Sequence, residues 1–260
     1  MVIGVFDSGV GGLSVALPLR QVLPNADLIY LADAAFAPYG EKSQPAIRDR
    51  LLRIVTWFHD RDVRLLVIAC NTATVNAIDD LRLAFPKMTF VGIEPAVKPA
   101  AAVCDRIVVL GTESTVHNAR YHELVKRWGN GPTSPSARAG RSTTIWHRGA
   151  NDLVRQVESG DLVSADRIKA HLDALPGEPD GLVIGCTHFS FFIPTIQQHW
   201  PHLQIFDGAA GVVRRTLDVL GSTLRVQPRG GWTEWLTTGP DRLVRFTEFP
   251  IQFRHVDLIE

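Results

Sequence analysis

The sequence predicts an α/β fold of two pseudo-symmetric domains, each a mostly parallel sheet flanked by helices, with the active site in the interdomain cleft. Three observations carry this. Short β-rich apolar runs alternate with stretches of helical spacing, the pattern of a parallel sheet covered on both faces. Two of those runs are near-duplicates, Leu65-Leu66-Val67-Ile68-Ala69-Cys70-Asn71-Thr72 and Gly181-Leu182-Val183-Ile184-Gly185-Cys186-Thr187-His188. A segment with two prolines, Ile93 to Pro99, marks one crossing between domains, and Asp207-Gly208-Ala209 marks a second.

Taken in order, Val2 to Phe6 is an apolar strand that stops at Asp7 and a Gly-rich turn. Leu28 to Leu31 is a second strand, ending just before Asp33. From Gln44 to Asp60 the residues Ile47, Leu51, Ile54, Val55 and Phe58 fall on one face of a helix. Strands follow at Leu65 to Ala69, Thr89 to Gly92, Arg106 to Leu110, Leu182 to Ile184 and Gln204 to Phe206, and Gly129 to Arg141, rich in Gly, Pro and Ser, reads as a surface loop. Residues 1–95 with 210–260 then form the domain carrying Asp7 and Cys70, and residues 96–209 the domain carrying Cys186 and His188.

Composition narrows the function classes. The chain has 260 residues, 45% hydrophobic and 21% charged, with 27 basic against 27 acidic side chains. No net field draws it to nucleic acid or anionic lipid, so small metabolites are the expected partners. Three cysteines make no disulfide framework and fit a reducing cytosol. The start Met1 to Asp7 is not a signal peptide, and no apolar run approaches the ~20 residues of a membrane span. The nine histidines form no H-x-x-x-H or H-E-x-x-H pattern, so no metal site is expected. No lysine sits in an evident pyridoxal-phosphate setting.

Ligands of parallel sheets gather beyond the carboxyl ends of the strands, where Cys70 and Cys186 both fall. A matched pair of thiols is suited to taking a proton from one face of a carbon and returning one to the other. Free thiols titrate near ~8.5, so each needs a neighbour before it works as a base. The Asn71-Thr72 and Thr187-His188 pairs offer N–H and hydroxyl donors beside each thiol. Asp7 reads either as a cap on its glycine turn or as the proton partner of a thiol, and His188, two residues after Cys186, reads as a proton partner or substrate ligand. Cys104, on a helix with no such context, reads as core packing. The turn Asp33 to Gly40 is expected to aim Tyr39 and backbone N–H groups at the same rim. Gly9, Gly11 and Ser14, with Asp33 further on, imitate a dinucleotide fingerprint, though Asp7 beside the loop would repel a pyrophosphate.

The ordered set Asp7-Ser8-Gly9-Val10-Gly11-Gly12, Asp33 to Pro38-Tyr39-Gly40, Ala69-Cys70-Asn71-Thr72-Ala73, Gly92-Ile93-Glu94-Pro95, Ser114-Thr115 to Tyr121 and Gly185-Cys186-Thr187-His188 closely resembles the glutamate racemases of the cofactor-independent aspartate/glutamate racemase superfamily. Thr237-Thr238-Gly239 is similar to the family's C-terminal stretch. The resemblance implies a two-base mechanism without metal or organic cofactor. Cys70, assisted by Asp7, would take the α-proton of D-glutamate, while Cys186, assisted by His188, would supply one to the opposite face. Ser8, Pro38, Tyr39, Gly40, Asn71, Thr72, Thr115 and Thr187 match substrate-binding positions, and Glu158 matches the family's later acidic residue. The family also implies a cytoplasmic homodimer that supplies D-glutamate for peptidoglycan. Two departures stand out: the usual Cys-Thr-His-Tyr-Pro is here Cys186-Thr187-His188-Phe189-Ser190, and a Cys-Pro pair is replaced at Ala150-Asn151. The long N-terminal extension tied in the family to activation by a cell-wall precursor has no counterpart, so the resemblance implies no such regulation.

Three competitors remain on the sequence alone. One is a racemase of another acidic amino acid such as aspartate, against which His188 argues, because the aspartate branch resembles Cys-Thr-Glu at that point. Another is a catalytically idle binding protein of the same fold. The third is a nucleotide-binding reductase using the Gly9 loop.

Overall fold

The computed structural model describes residues 2–130, 140, 142–160, 164–221, 230–244 and 250–258. Its contacts group Met1–Ile93 with Ala209–Glu260 as one compact unit and Glu94–Gly208 as a second. The expected surface loop from Gly129 to Arg141 lies mostly outside the described residues.

Unit 1 is built on a seven-stranded sheet in the order β10-β11-β9-β2-β1-β3-β4. Its strands are β1 Val2–Asp7, β2 Asp27–Ala32, β3 Leu65–Ile68, β4 Thr89–Gly92, β9 Thr233–Thr237, β10 Arg242–Val244 and β11 Ile251–His255. All pairings are parallel except β10 with β11. The first strands read as unbroken apolar runs because both faces are covered: β3 is buried throughout, and β1 is buried from Ile3 onward. Helices α1 Leu13–Val22, α2 Gln44–His59 and α3 Asn71–Ala84 supply the cover, with Ile47, Leu51, Ile54, Val55 and Phe58 of α2 packed into the core beside Phe6, Leu66 and Ile68. Helix α2 starts at Ser43, whose side chain accepts from the Ala46 N–H, with Pro45 in its first turn. Among the described residues the last helix of the unit is α10, Ala209–Leu220.

Unit 2 holds a four-stranded parallel sheet in the order β6-β5-β7-β8, formed by β5 Arg106–Gly111, β6 Thr144–Gly149, β7 Gly181–Gly185 and β8 Gln204–Asp207. Around it lie α4 Val97–Val103, α5 Glu113–Val116, α6 Ala119–Val125, α7 Asn151–Ser159, α8 Ala165–Asp173 and α9 Ile193–His199. The order β6-β5-β7-β8 repeats the order β2-β1-β3-β4 strand for strand. Each cysteine therefore follows the topologically equivalent strand of its own sheet. Cys104 caps α4 and is buried; a Cβ on Gly181 would sit 2.8 Å from its Sγ, so the thiol fills the space that glycine leaves.

The sequence reading omits β6 and the trio β9, β10 and β11. β6 is Thr-Ile-Trp-His-Arg-Gly on the edge of its sheet, half-buried and mixed in character, so it lacks the apolar run that reveals its neighbours. The late strands are short and lie toward the other sheet's edge.

Candidate active site

In unit 1 the polar residues gather where β1, β2 and β3 end. Phe6 pairs with Ile68, and the Ala69 N–H donates to the Phe6 carbonyl at 2.7 Å, so Asp7 and Cys70 emerge side by side. The Cys70 thiol donates to the Ser8 hydroxyl at 3.5 Å, and that hydroxyl donates to Asp7 Oδ1 at 3.1 Å. The Ser8 backbone N–H also donates to Asp7 Oδ1, at 2.5 Å. A thiol, a hydroxyl and a wholly buried carboxylate thus form one proton path. Cys70 is also the N-cap of α3, its Sγ accepting from the Ala73 N–H at 3.4 Å. A thiolate there faces the positive end of a 14-residue helix. Gly12 has a steric reason: a Cβ would come within 2.5 Å of the Asp7 Cβ and 2.7 Å of the Tyr30 hydroxyl.

Asn71 and Thr72, the next two residues, are both buried, and the Asn71 carboxamide nitrogen and oxygen meet no partner among the described residues. Buried amides are nearly always satisfied, so this one is consistent with a ligand group as its missing partner.

Asp33 does something the sequence does not reveal. Its buried carboxylate accepts from Tyr39 Oη at 2.7 Å, Arg50 Nε at 2.8 Å, Arg50 Nη2 at 2.6 Å and Thr238 Oγ1 at 2.7 Å. With both oxygens so occupied, Asp33 has little left to offer a ribose, which counts against the dinucleotide reading. Arg50 has its pKa raised by that hydrogen bond in spite of burial. Burial first, and then the Asp33 charge, holds the Tyr39 phenol well above its ordinary range, so it keeps its proton. The expectation that the Tyr39 side chain points at the rim is corrected: its hydroxyl is turned inward to Asp33. The short 3₁₀ turn Tyr39–Glu41, which includes Gly40, follows a cis Ala37–Pro38 peptide, and the Glu41 N–H donates to the Pro38 carbonyl at 3.3 Å.

In unit 2 Gly111 pairs with Gly185, so Thr112 and Cys186 leave adjacent strand ends. Cys186 Sγ lies 3.6 Å from His188 Nδ1, and His188 Nε2 lies 2.6 Å from Glu158 Oε1, which α7 supplies. Burial alone would lower the pKa of His188. The hydrogen bonds to Cys186 and Glu158, together with their charges, outweigh it and hold the imidazole well above its ordinary pKa. In that protonated state both ring nitrogens are donors. Thr187 is buried in the turn after Cys186, and Thr115 is buried at the start of α5, with Thr112 Oγ1 donating to its hydroxyl at 2.9 Å.

Of the residues singled out by sequence, the structure joins Asp7, Ser8 and Cys70 in one cluster of unit 1 and Cys186, His188 and Glu158 in one cluster of unit 2. The two thiols differ in their neighbours: an acid through a hydroxyl for Cys70, a cationic imidazole for Cys186. Arg50, Thr238 and Asp33 as their hub were missed, because only the sheet topology brings α2 and the end of β9 to the end of β2.

Residues 15–216 match the Asp/Glu/hydantoin racemase family. A glutamate racemase of Pseudomonas putida is 38% identical over 250 residues, spanning 93% of this chain and 90% of that protein. A glutamate racemase of Stutzerimonas stutzeri is 38% identical over 225 residues, covering 84% and 81%. Among solved structures, Escherichia coli glutamate racemase in complex with L-glutamate and its activator UDP-MurNAc-Ala superposes with a TM-score of 0.77 at 32% identity, over 92% of this chain and 89% of that one. The Thermus thermophilus glutamate racemase bound to β-chloro-D-alanine gives 0.75 at 30% identity, over 92% and 88%.

Proposed function

The chain belongs to the Asp/Glu/hydantoin racemase family, and from that membership we propose that it interconverts L- and D-glutamate by a two-thiol proton transfer. The observation that carries the reading is the matched pair of thiols, each following the equivalent strand of a repeated four-strand order and each joined to its own acid/base partner. In the D-to-L direction the Cys70 thiolate removes the α-proton, having passed its own proton along Ser8 toward Asp7. The Cys186 thiol gives a proton to the opposite face, and the cationic His188 stabilises the thiolate that remains. In the L-to-D direction the roles exchange.

An α-proton next to a carboxylate is weakly acidic, so the carbanion-like species needs charge stabilisation at the substrate carboxylate. Ser8, Asn71, Thr72, Thr115, Thr187 and the backbone of the Pro38-Tyr39-Gly40 turn are the groups we assign to the two carboxylates and the ammonium. Asn71, with its buried and unpartnered carboxamide, is the best supported of them. Arg50 neutralises Asp33, so the turn that receives an anionic substrate carries no uncompensated negative charge from it. No metal or organic cofactor enters this scheme. The product D-glutamate would serve peptidoglycan synthesis in the cytoplasm, and we take the working form to be a homodimer.

The test is to incubate the purified protein with D-glutamate and follow ellipticity. Decay to zero, with L-glutamate accumulating to half the total, is the expected result. An unchanged signal with glutamate, but decay with D-aspartate, would reassign the substrate; no decay with either would favour the idle binding protein.

A further inference from the structure

The two thiols are held by unequal scaffolds. Cys70 caps a 14-residue helix, whereas Cys186 is followed by a six-residue 3₁₀ turn, Thr187–Phe192, which contains His188 and has no side-chain cap at its start. Three-ten turns have poor hydrogen-bond geometry and persist where tertiary contacts hold them. Several contacts hold it, the His188–Glu158 bond among them. Phe189 and Phe192 stack within the core, with centroids 5.8 Å apart, and the Phe189 N–H donates to the Cys186 carbonyl at 3.0 Å. Another is made by the half-buried Ser190, whose hydroxyl donates to Asp207 Oδ2 at 2.6 Å. Asp207 is the last residue of β8 and pairs in register with Ile184, two residues before Cys186. The short charge-assisted bond therefore fastens the turn to the same sheet that presents the thiol.

We infer that Ser190 is a positioning residue: through Asp207 it fixes the turn that carries His188, and so sets the alignment of His188 Nδ1 with Cys186 Sγ. The inference deepens the proposed function and rests on it. It also gives a role to one of the residues in which this chain departs from the family's usual Cys-Thr-His-Tyr-Pro segment. Because His188 serves only the Cys186 half of the reaction, loosening it slows proton transfer at one thiol and leaves the Asp7-Ser8-Cys70 path intact.

That asymmetry is hidden in ordinary kinetics. L- and D-glutamate have equal free energy, so kcat/KM must stay equal in the two directions whatever the variant. Isotope labelling uncovers it. With Ser190→Ala, the account expects kcat/KM to fall about tenfold, short of the ~10²-fold that a 1 Å misplacement of reacting groups can cost. It expects the primary deuterium effect on kcat/KM to rise for α-deuterated L-glutamate, the enantiomer Cys186 deprotonates, and not to rise for α-deuterated D-glutamate. Ser190→Thr, which keeps the hydroxyl, restores wild-type values. Isotope effects that change equally for both enantiomers, or that match wild type, overturn the inference, even if Ser190→Ala lowers the thermal midpoint. The wild-type control separates this failure from that of the reading beneath it. A wild-type protein that racemises glutamate while Ser190→Ala shows no asymmetry refutes the positioning role alone, whereas a wild type inactive on glutamate refutes the proposed function.

Discussion

Replacing Glu158 by Gln removes one charge from the His188 pair and keeps an amide oxygen that can accept the same hydrogen bond. The side chains of His188 and Glu158 are only 3% and 17% exposed, and their contact is 2.6 Å. At an effective dielectric of ~20 the gross Coulomb term at that distance is about 6 kcal/mol. Most of it is offset by the desolvation the pair suffers, and deleting a partner outright costs about 3–5 kcal/mol. A hydrogen bond to a charged group exceeds a neutral one by about 1 kcal/mol. Gln should therefore fall between these limits, at about 1–3 kcal/mol, and the His188 pKa should drop with it.

The sign of the pH dependence follows. His188 has a folded pKa raised above its unfolded value of ~6.5, so its contribution to stability is complete below ~6.5 and is lost as pH rises through the folded pKa. The stability gap between wild type and Glu158→Gln is then widest at and below about pH 6.5 and narrows above it. Urea titration across pH reads the gap, and histidine NMR reads the pKa directly. In the rate profile, the alkaline fall that reports loss of the His188 proton should move to lower pH. A His188 resonance that titrates at the same pH in both proteins would refute the electrostatic coupling on which this account of unit 2 depends.

Three further outcomes follow from unit 1. Arg50→Met strips the bidentate partner from the buried Asp33 carboxylate and should cost about 3–5 kcal/mol in urea unfolding with the m-value unchanged; a loss below about 1 kcal/mol would mean that Tyr39 and Thr238 suffice to hold Asp33. Ser8→Ala cuts the hydroxyl out of the path from Cys70 to Asp7 and should lower kcat by about 10²-fold, the lower end for an acid/base contribution, while the folded stability changes little; an unchanged kcat would show that Asp7 serves Cys70 without it. Gly12→Ala drives a methyl toward the Asp7 Cβ and the Tyr30 hydroxyl and should cost about 1–3 kcal/mol and lower activity together; activity kept at full level would show that Asp7 tolerates displacement.

Much of the architecture is legible in the sequence because parallel strands buried on both faces leave continuous apolar runs, as β3 and β7 do. The thiols were legible for the same reason: each interrupts such a run at its carboxyl end. β6 was not, since its His147 and Arg148 break the pattern at a sheet edge. The partners of the site residues divide in the same way. Ser8 beside Asp7 and His188 beside Cys186 are near in sequence. Arg50 and Thr238 meet Asp33 across 17 and 205 positions, and Ser190 meets Asp207 across 17, so only the folded topology brings them together. Tyr39 illustrates the remaining difficulty: its loop could be read, but whether its hydroxyl faces outward or toward Asp33 depends on Asp33 being buried with Arg50 beside it.

The central claim is that two different thiols handle the α-proton, one on each face of the carbon. The most direct measurement runs the reaction from protiated D-glutamate in deuterated buffer, stops it at low conversion, separates the enantiomers and reads α-deuterium in each by NMR. The account predicts L-glutamate deuterated at the α-carbon from the first turnovers, with the recovered D-glutamate still protiated, because the product's proton comes from the second, solvent-exchanged thiol. L-glutamate that retains the original proton, or label entering both enantiomers alike, would show a single base working on both faces and would contradict the account.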